Sequence, residues 1–407
     1  MTAALSLADQ GYETALVEKE PRLGGYLHKV YYTVEGLDVP RLLAEMTEKV
    51  QKHPLIKSYT GAQLKSLNGY VGSYESEIQT PHEIISFSHG VIVVTVGADE
   101  YKPQTYHYGK DPQVLTQSEL EKVLGKSTKD DIRDGETFVM IQCVESRDDK
   151  RAYCSRICCM QAVKNAIRIK DLNPRAEVFI LYRDLMTYGF KERFYKDARE
   201  KGVMFLQYDP EKKPEVEAKN GLVVKVHEPM LGELLKIPVD HVILSTGLQP
   251  NADNPVIGKL LKVPVNDDGF FLEAHVKLRP VDFSTRGVFV AGNCHVPKFI
   301  SESMYQAQAA AARAATILCK PSLKAEPNVA FVDEDLCSGC SICISVCPYN
   351  AIERVEEEIN GKKVIHAKIN EGLCQGCGTC VSACPSSAIQ QRGFKDAQIL
   401  PMIDEIV

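Results

Sequence analysis

The chain has 407 residues and a formal net charge of -6, and 25% of its side chains are charged, which fits a globular protein of two or three domains. Its scattered basic residues offer neither a stripe for nucleic acid nor a polybasic patch for a membrane surface. The apolar runs are too short to span a bilayer, and residues 1–16 lack the positive start of a signal peptide, so the 14 cysteines favour metal ligands in a reducing cytoplasm over disulfides.

The first segment predicts the second half of a Rossmann β-α-β unit. Small residues over Thr2–Leu7 favour a helix, and Thr14–Val17 favours a strand that ends in Glu18. An acidic residue at this point binds the adenosine ribose of a dinucleotide, so Glu18 takes that role. Gly24 and Gly25 would approach the dinucleotide backbone, although a surface loop explains this pair nearly as well.

The first strand of that unit, with its Gly-x-Gly-x-x-Gly turn for the pyrophosphate, is expected upstream of Met1. A misplaced gene start, a fragment, or a piece supplied by another chain would each account for this, and an incomplete N-terminus is favoured. We therefore expect the chain as given to hold a dinucleotide poorly.

Three apolar strands later in the chain each run into a glycine, which would let the backbone pass close to a cofactor. They are residues 91–96 with Gly97, 242–246 with Gly247, and 287–291 with Gly292 and Asn293. A helix is predicted over 38–51, a β-meander over 57–87 and an alanine-rich helix over 301–318. Because the first two glycine-ended strands lie about 150 residues apart, they bracket an inserted domain.

The inserted domain has thiols where a pyridine-nucleotide enzyme has glycines. Residues 137–142 predict a strand, but no glycine-rich turn follows it, so NAD(P) binding is not expected. Four cysteines follow instead: Cys143, Cys154, Cys158 and Cys159. Cys154 and Cys158 would share one face of a helix that runs to about residue 169, and the four thiolates would hold a 4Fe-4S cluster. The alternative is a redox-active dithiol of Cys154 and Cys159, which leaves the other two unexplained.

The strongest motif lies near the C-terminus, where one cysteine spacing occurs twice. The two runs are Cys337, Cys340, Cys343 and Cys347 before Pro348, and Cys374, Cys377, Cys380 and Cys384 before Pro385. This is the run of two-cluster ferredoxins, in which the fourth cysteine binds the other cluster. Cys384 is thus expected to join the first three cysteines, and Cys347 the second three. A disulfide scaffold or two zinc ribbons are the alternatives. A hairpin turn is predicted at Asn360-Gly361, and residues 320–327 predict a linker.

The order of these elements resembles the two-dinucleotide-binding flavoproteins that include thioredoxin reductase, except that Asn293 stands where their closing strand has aspartate. Around the thiols, Gln142-Cys143-Val144, Tyr153-Cys154-Ser155-Arg156 and Cys158-Cys159-Met160 ahead of the double ferredoxin motif resemble the A subunit of heterodisulfide reductase. The predicted fold class is therefore an α/β, thioredoxin-reductase-like flavoprotein with a C-terminal α+β double 4Fe-4S ferredoxin module. The predicted boundaries are 1–134 and 241–320 for the two parts of the FAD domain, 135–240 for the inserted domain and 321–407 for the ferredoxin module.

The resemblance implies a non-covalent FAD, three 4Fe-4S clusters and a cytoplasmic oxidoreductase subunit in which the flavin is the proposed site of electron bifurcation. It implies partner subunits that reduce a disulfide, a hydrogenase or dehydrogenase module as electron donor, and ferredoxin as a further partner. It also places Lys164 near the reactive edge of the flavin, where a cation would favour the reduced, anionic form; a solvated helix lysine is the alternative. Glu145, where the family usually has glycine, is a departure from it.

Two other functions stay open at this point. One is a self-contained NAD(P)H-dependent disulfide or ferredoxin reductase, and the other is a flavin-free ferredoxin wiring module. Cys294 and Cys319 are expected to be buried structural thiols. His28, His82 and His295 lack the spacing of metal ligands and receive no predicted role.

Overall fold

The computed structural model describes residues 1–219, 221–230, 232–324, 328–359 and 362–405. The first hundred residues form α1 (Thr2–Ala8), β1 (Thr14–Glu18), α2 (Val39–Lys52), β2 (Ile56–Thr60), β3 (Gln63–Tyr70), β4 (Ser73–Gln79), β5 (Ile84–His89), β6 (Ile92–Val94) and β7 (Ala98–Glu100). The helix predicted over 38–51 is confirmed as α2, which begins after Asp38 because that carboxylate accepts a hydrogen bond from the Arg41 N–H. The predicted meander consists of β3, β4 and β5, whereas β2 instead pairs in parallel with β1.

The middle of the chain builds a second sheet. Its elements are β8 (Val114–Thr116), α3 (Gln117–Leu124), β9 (Thr137–Ile141), α4 (Cys158–Leu172), β10 (Glu177–Tyr182), α5 (Glu192–Glu200), β11 (Met204–Gln207), β12 (Glu215–Glu217), β13 (Leu222–Glu228), β14 (Glu233–Val239) and β15 (His241–Leu244). The five-stranded parallel sheet has the order β11-β10-β9-β15-β8, and β12-β13-β14 form an antiparallel sheet beside it. β8 lies before the predicted boundary at residue 135 and β15 lies after the one at residue 240, yet both strands pair within this sheet. The inserted domain therefore extends beyond both predicted boundaries.

Helix α4 is the central helix of the inserted domain. Ala162, Val163, Ala166 and Ile169 recur at helical spacing and are completely buried. All five residues of β9 are also buried, as expected for a central strand of a parallel sheet. This core fixes the start of α4 next to the end of β9.

The chain then returns to the first region through β16 (Leu248–Pro250), α6 (Asn254–Leu261), β17 (Val288–Val290) and α7 (Ile300–Leu318). β16 pairs with β7, so that these two crossing segments link the inserted domain to the rest, and β17 pairs in parallel with β6. Helix α1 packs on α7 through small side chains, among them Ala3, Ala310 and Ala314. We call residues 1–100 together with 248–320 the cavity domain.

A large cavity separates the two strand pairs of the cavity domain. Among the described residues, β1 pairs with β2 and β6 pairs with β17, and no hydrogen bonds join one pair to the other. The cavity between them has a volume of about 1820 Å³. Ligand pockets usually measure roughly 300–1,000 Å³, so the interruption of the sheet leaves more space than one ligand needs.

Residues 328–405 form the C-terminal module, with β18 (Ala330–Val332), α8 (Ile342–Val346), β19 (Ile352–Ile359), β20 (Lys362–Ile369), α9 (Thr379–Ser382), β21 (Ile389–Gln391) and α10 (Asp396–Asp404). β19 and β20 are antiparallel, as are β18 and β21. The predicted turn at Asn360-Gly361 lies outside the described residues, as do residues 325–327 of the predicted linker. The module contacts the cavity domain where Lys262 Nζ donates to the Tyr349 carbonyl at 3.4 Å.

The longest helix, α7, has 19 residues. Across the described ranges, no helix combines the length and the apolar character needed to cross a bilayer.

Candidate functional site

The cavity brings together most of the residues predicted to contact a dinucleotide cofactor. Its lining includes Glu18, Gly24, Gly25, Gly97, Lys164, Gly292 and Asn293. Gly247 is absent from this lining, because β15 belongs to the inserted sheet and its end faces the cysteines. The cavity thus gathers residues that lie far apart in the sequence, and Gly247 serves a different site.

The first corner of the cavity is shaped by Glu18 and the glycine pair. One oxygen of Glu18 accepts a hydrogen bond from the Glu20 N–H at 3.0 Å, which fixes the carboxylate at the end of β1. Gly24 has φ 123, and a Cβ there would lie 2.7 Å from Leu43 Cδ1. The positive φ favours glycine here, and any side chain would also require the Leu43 side chain to shift.

The opposite corner is the turn after β17. The N–H of Gly292 donates to Gln306 Oε1 at 2.9 Å, and its carbonyl accepts from Lys298 Nζ at 2.7 Å. Asn293 Oδ1 accepts from the Lys298 N–H at 2.9 Å, so this side chain braces its own turn. Burial lowers the pKa of Lys298 to about 8.

Lys164 reaches the cavity from α4 and is paired. Its Nζ lies 2.7 Å from Glu121 Oε2 and 2.9 Å from the Tyr32 carbonyl, and it stands 4.8 Å from the centre of the Tyr32 ring. Glu121 is completely buried and Lys164 is 9% exposed, so the alternative of a solvated lysine is wrong. Burial lowers the pKa of Lys164, and the attraction of Glu121 opposes that shift.

The cysteines of the inserted domain converge at the start of α4. We call residues 143–159, which contain the four cysteines, the cysteine loop. The helix begins at Cys158, so the prediction that Cys154 shares its face is wrong, and Cys154 precedes the helix instead. The loop still brings Cys154 close enough that its thiol acts electrostatically on those of Cys143, Cys158 and Cys159.

Backbone strain accompanies this convergence. Cys143, Glu145, Arg147 and Arg156 all have positive φ between 47 and 60, a region that residues other than glycine rarely adopt. Each such residue costs roughly 1–3 kcal/mol, and such conformations cluster at functional sites. The loop therefore adopts glycine-like backbone conformations while it keeps four side chains.

Hydrogen bonds of the Glu145 side chain offset the cost of the positive φ at this residue. Its carboxylate accepts hydrogen bonds from the Tyr101 hydroxyl, the Gln104 N–H, and the N–H and hydroxyl of Thr105, at 2.7 to 2.9 Å. Burial opposes ionisation, but these donors outweigh it, and the pKa of Glu145 is lowered. The departure from glycine at this position thus ties the loop to residues 101–105.

Hydrogen-bond donors without acceptors lie in the cysteine loop and next to it. Within the described residues, the donors Gln142 Nε2, Arg147 NH1, Arg151 NH1 and Arg183 Nε are buried and unpaired, as is the acceptor Gln142 Oε1. The Arg147 guanidinium opposes the rise that burial causes in the pKa of the Cys143 thiol, and it pairs with Asp184 at 2.7 Å. Four thiols surrounded by unpaired donors and arginines fit an anionic, acceptor-rich group, as a thiolate-bound iron–sulfur cluster is.

Gly247 closes the cage from the side of β15. Its φ is 75, and a Cβ there would lie 2.3 Å from Ser155 Oγ and 3.3 Å from Cys158 Sγ. The Leu248 N–H donates to the same Ser155 hydroxyl at 3.0 Å. The glycine predicted to contact a flavin instead lets the cysteine loop pack on the inserted sheet.

Two thiols of this cage resist ionisation in the absence of a metal. Burial, followed by repulsion from the neighbouring cysteines, raises the pKa of Cys158 well above its ordinary value and that of Cys159 to about 12. A reactive thiol needs to form a thiolate near neutral pH. The raised pKa of Cys159 therefore disfavours this cysteine as the reactive thiolate of a dithiol.

The C-terminal module contains two small cavities, each surrounded by four cysteines. The first is lined by Cys337, Cys340, Cys343 and Cys384, and the second by Cys347, Cys374, Cys377 and Cys380. Each set takes three cysteines from one motif and one from the other, as the spacing predicts. Backbone N–H groups already point at sulfur: Ala330 donates to Cys374 Sγ at 3.5 Å and Ala351 to Cys347 Sγ at 3.3 Å.

Among the described residues, no three His, Cys, Asp or Glu side chains converge as the ligands of a single metal ion would. The thiolates around a four-iron cube each bind a different iron, and therefore stand further apart than the ligands of one ion. The two remaining cysteines differ from each other: Cys294 is buried as predicted, but Cys319 is exposed and that prediction is wrong.

Comparison with known proteins places this geometry in a family. Residues 336–388 match the family model described as a 4Fe-4S dicluster domain. The iron-sulfur A subunit of CoB–CoM heterodisulfide reductase from Methanocaldococcus jannaschii is 34% identical, over 100% of this chain and 75% of that protein. The chain belongs to the family of heterodisulfide reductase A subunits. A second relative, the A subunit of the H(2):CoB-CoM heterodisulfide,ferredoxin reductase from Methanothermobacter marburgensis, is also 34% identical, over 99% of this chain and 74% of its own length.

The fold of most of the chain has a known counterpart as well. The T. acidophilum thioredoxin reductase aligns with a TM-score of 0.53 at 15% identity, over 78% of this chain and 95% of that structure. The predicted thioredoxin-reductase-like fold with a C-terminal double-cluster module is therefore confirmed. Membership of the heterodisulfide reductase family makes the protein an oxidoreductase.

Sequence reasoning missed four polar residues of the site: Glu121, Arg147, Gln306 and Lys298. Glu121 and Arg147 act through contacts with residues distant in the chain, whereas Gln306 and Lys298 hold the turn at Gly292, and no local motif marks any of the four. Arg147 and Lys298 stand within a few residues of predicted ligands, which was the one available signal.

Proposed function

We propose that this chain is the FAD- and 4Fe-4S-carrying electron-transfer subunit of a heterodisulfide-reductase-type complex. It would connect an electron-donor partner, such as a hydrogenase or dehydrogenase module, with a partner that reduces a disulfide. The name of the M. marburgensis relative joins H(2), a heterodisulfide and ferredoxin, which supports extending the proposal to electron bifurcation and to ferredoxin as a partner.

One observation carries the proposal: α4 connects the cysteine cage to the cavity. Cys158 and Cys159 lie between Ile157 and Met160, and both of these neighbours line the cavity. Lys164 lines it as well, less than two turns further along the same helix. A group held by the thiols and a group held in the cavity would therefore contact neighbouring residues of the same helix.

The cavity residues fit a dinucleotide flavin. FAD, when bound, supplies the exchange between two-electron chemistry and the single electrons that iron–sulfur clusters carry. Glu18 would accept hydrogen bonds from the adenosine ribose, and the Gly24-Gly25 turn would allow the cofactor backbone to approach. The turn at Gly292 and Asn293 would hold the ribityl hydroxyls, and Gly97, with φ 76 and open space around it, would allow close passage.

The metal sites follow from the three cages. Cys143, Cys154, Cys158 and Cys159 would hold one 4Fe-4S cluster in the inserted domain. Cys337, Cys340, Cys343 and Cys384 would hold a second, and Cys347, Cys374, Cys377 and Cys380 a third. Arg147 would supply positive charge and a hydrogen-bond donor to the first.

The test is anaerobic reconstitution followed by cofactor counting. Because the chain as given is expected to hold a dinucleotide poorly, FAD is supplied in excess, and we then expect about twelve irons and one FAD per chain. Cys158→Ser should lower the count to about eight irons, while the matched control Cys319→Ser, an exposed cysteine outside all three cages, should keep about twelve. Equal iron in both variants would remove the cage at α4 from the proposal. Two cubes without flavin would favour the wiring module, and bleaching of the flavin by NADPH alone would favour the self-contained reductase.

The pair of Lys164 and Glu121 offers a second test, on the flavin. If the ammonium stabilises negative charge on the bound cofactor, Lys164→Ala should lower the flavin midpoint potential and Glu121→Gln should raise it, because each removes one sign of charge. Breaking the buried pair should also cost roughly 3–5 kcal/mol of unfolding free energy. A spectroelectrochemical titration in which neither variant shifts the potential would confine both residues to a structural role.

A further inference from the structure

A chain of buried hydrogen bonds ends at the turn that lines the cavity. Glu273 Oε2 lies 2.7 Å from His295 Nε2, and His295 Nδ1 lies 2.9 Å from Gln306 Nε2. Gln306 Oε1 in turn accepts the N–H of Gly292 at 2.9 Å. The side chains of Glu273 and His295 are only 11% and 16% exposed. These contacts join a carboxylate, an imidazole, an amide and a backbone peptide in one line.

Elementary donor and acceptor rules fix the direction of this line. The Gly292 N–H is a donor, so Gln306 must present its amide oxygen to Gly292 and its amide nitrogen to His295. An amide nitrogen only donates, so His295 Nδ1 must be an unprotonated acceptor. The proton of the neutral imidazole is then on Nε2 and is donated to Glu273. Each group therefore donates toward the carboxylate, and the bonds polarise one another in the same direction.

The backbone of Gly292 is therefore hydrogen-bonded at both its N–H and its carbonyl group. Gln306 holds its N–H, and Lys298 Nζ holds its carbonyl. Gly292 has φ 85, a conformation that glycine adopts but does not itself enforce. Gly292 and Asn293 line the cavity directly. Glycine alone would leave this turn free to change conformation. The side chains of Gln306 and Lys298 therefore fix the conformation in which the turn faces the cavity.

We propose that Glu273, His295 and Gln306 form a positioning relay that holds the Gly292 peptide in the orientation needed to bind the polyol chain of a flavin dinucleotide, and that the relay holds only while His295 is neutral. This rests on the proposed function, because it takes the cavity to be the FAD site. A proton on Nδ1 would place two donors face to face, at His295 and Gln306. The amide would then rotate and leave the Gly292 N–H without its acceptor.

The charges around His295 set the pH at which this happens. Burial lowers the pKa of His295, Lys298 lowers it further, and Glu273 raises it. Lys298 itself interacts electrostatically with Cys294, Arg156, Glu302 and Glu273. Because the folded pKa lies below the ordinary value, the relay is intact at neutral pH, and it is lost as the pH falls through the folded pKa.

The experiment is an anaerobic FAD titration of the full chain, loaded with its clusters, followed by flavin fluorescence at pH values from 8 to 5. His295→Phe removes both contacts and should weaken FAD binding at neutral pH by roughly tenfold, as expected when a buried N–H loses its acceptor. His295→Asn keeps an acceptor near the position of Nδ1, so it should retain most of the affinity but lose the pH dependence. Glu273→Gln should move the midpoint of the pH profile downward, because the carboxylate that raises the pKa of His295 is lost.

The chain supplies a matched control in the inserted domain. His241 Nε2 lies 2.9 Å from Glu136 Oε1 in a similarly buried pair, and neither residue lines the cavity. His241→Asn should change neither the affinity for FAD nor its pH profile. Iron content and circular dichroism of each variant show whether it has folded.

Two failures can be told apart. If the wild-type protein takes up no FAD, the proposed function is overturned and the role of the relay with it. If the wild-type protein binds FAD and His295→Phe binds it equally well, only the relay is overturned. An ¹⁵N NMR spectrum of histidine-labelled protein gives a check without FAD: the His295 signal that is lost in His295→Asn should report a protonated Nε2, and a protonated Nδ1 would contradict the relay.

Discussion

The cysteine loop and the C-terminal module each bring cysteines together, but they do so by different means. In the module, the spacing of each motif already places three thiols together, and the fourth comes from the other motif. In the cysteine loop, Cys143 follows β9 and the other three surround the start of α4, so that only the packing of α4 on the sheet brings them together. The cysteine loop packs on a hydrophobic core that does not include its cysteines, whereas the module, in its described residues, has no hydrophobic core of comparable size.

The two cores explain this contrast. The core of the inserted domain has long apolar side chains from α4, β9, β10 and β15. The core of the module is small and is built partly from the cysteines themselves, with Cys343 and Cys380 among its buried members. A module of this size depends on its metal for stability.

Removal of iron should therefore separate the two regions most strongly. After oxidative chelation, we expect the amide protons of β19 and β20 to lose their protection against hydrogen exchange, while those of β9 and α4 keep theirs. The physical reason is that unfolding the module then exposes little apolar surface, whereas the inserted sheet keeps its core. Hydrogen-exchange mass spectrometry before and after chelation measures both regions in one sample. Unchanged protection of β19 and β20 would contradict the comparison.

A glycine substitution should affect the cysteine loop without affecting the module. In Gly247→Ala, the left-handed backbone costs roughly 1–2 kcal/mol, and the overlap with Ser155 adds about 1–3 kcal/mol. We expect loss of about four irons from the cage at α4, while the two cages of the module remain filled.

Gly97→Ala is the matched control for that variant. Gly97 has nearly the same φ, 76, but nothing lies within 4 Å of the position its Cβ would take. Gly97→Ala should therefore cost only the roughly 1–2 kcal/mol of the left-handed backbone. All three cages should keep their iron. Iron analysis and urea unfolding of both variants give the comparison, and equal loss of iron from the two would show that packing against Ser155 is unimportant.

The smallest expected difference is between two arginines. Arg147→Lys keeps the charge beside Cys143 but loses the planar fork that also reaches Asp184, so it should cost about 1–2 kcal/mol and alter the spectrum of the cluster in the inserted domain. Arg392, which pairs with Glu371 at 2.5 Å on the module surface with half of its side chain exposed, should tolerate Arg392→Lys within about 1 kcal/mol. Urea unfolding with electron paramagnetic resonance of the reduced protein tests both. A larger effect at Arg392 would reverse the ranking.

The sequence was most informative where a motif is local. The strand that ends in Glu18, the helix after Asp38 and the grouping of the eight module cysteines were all predicted from neighbouring residues. The errors arose where neighbours along the chain are separated in space. β2 was assigned to the meander, Cys154 was placed on α4, and β15 with Gly247 was assigned to the cavity.

The sequence by itself determined the fold class and the family, because repeated cysteine spacing, glycine-ended strands and apolar periodicity are short-range features. The tertiary structure decided which strand joins which sheet, and therefore which glycine faces the cavity and which faces the cysteines. It also supplied the partners of the buried polar groups: Glu121 for Lys164, Asp184 for Arg147, and Glu273 with Gln306 for His295. The physical reason is that a buried charge or amide must be satisfied by whatever packing brings within hydrogen-bond distance, and that distance is not written in the order of residues along the chain.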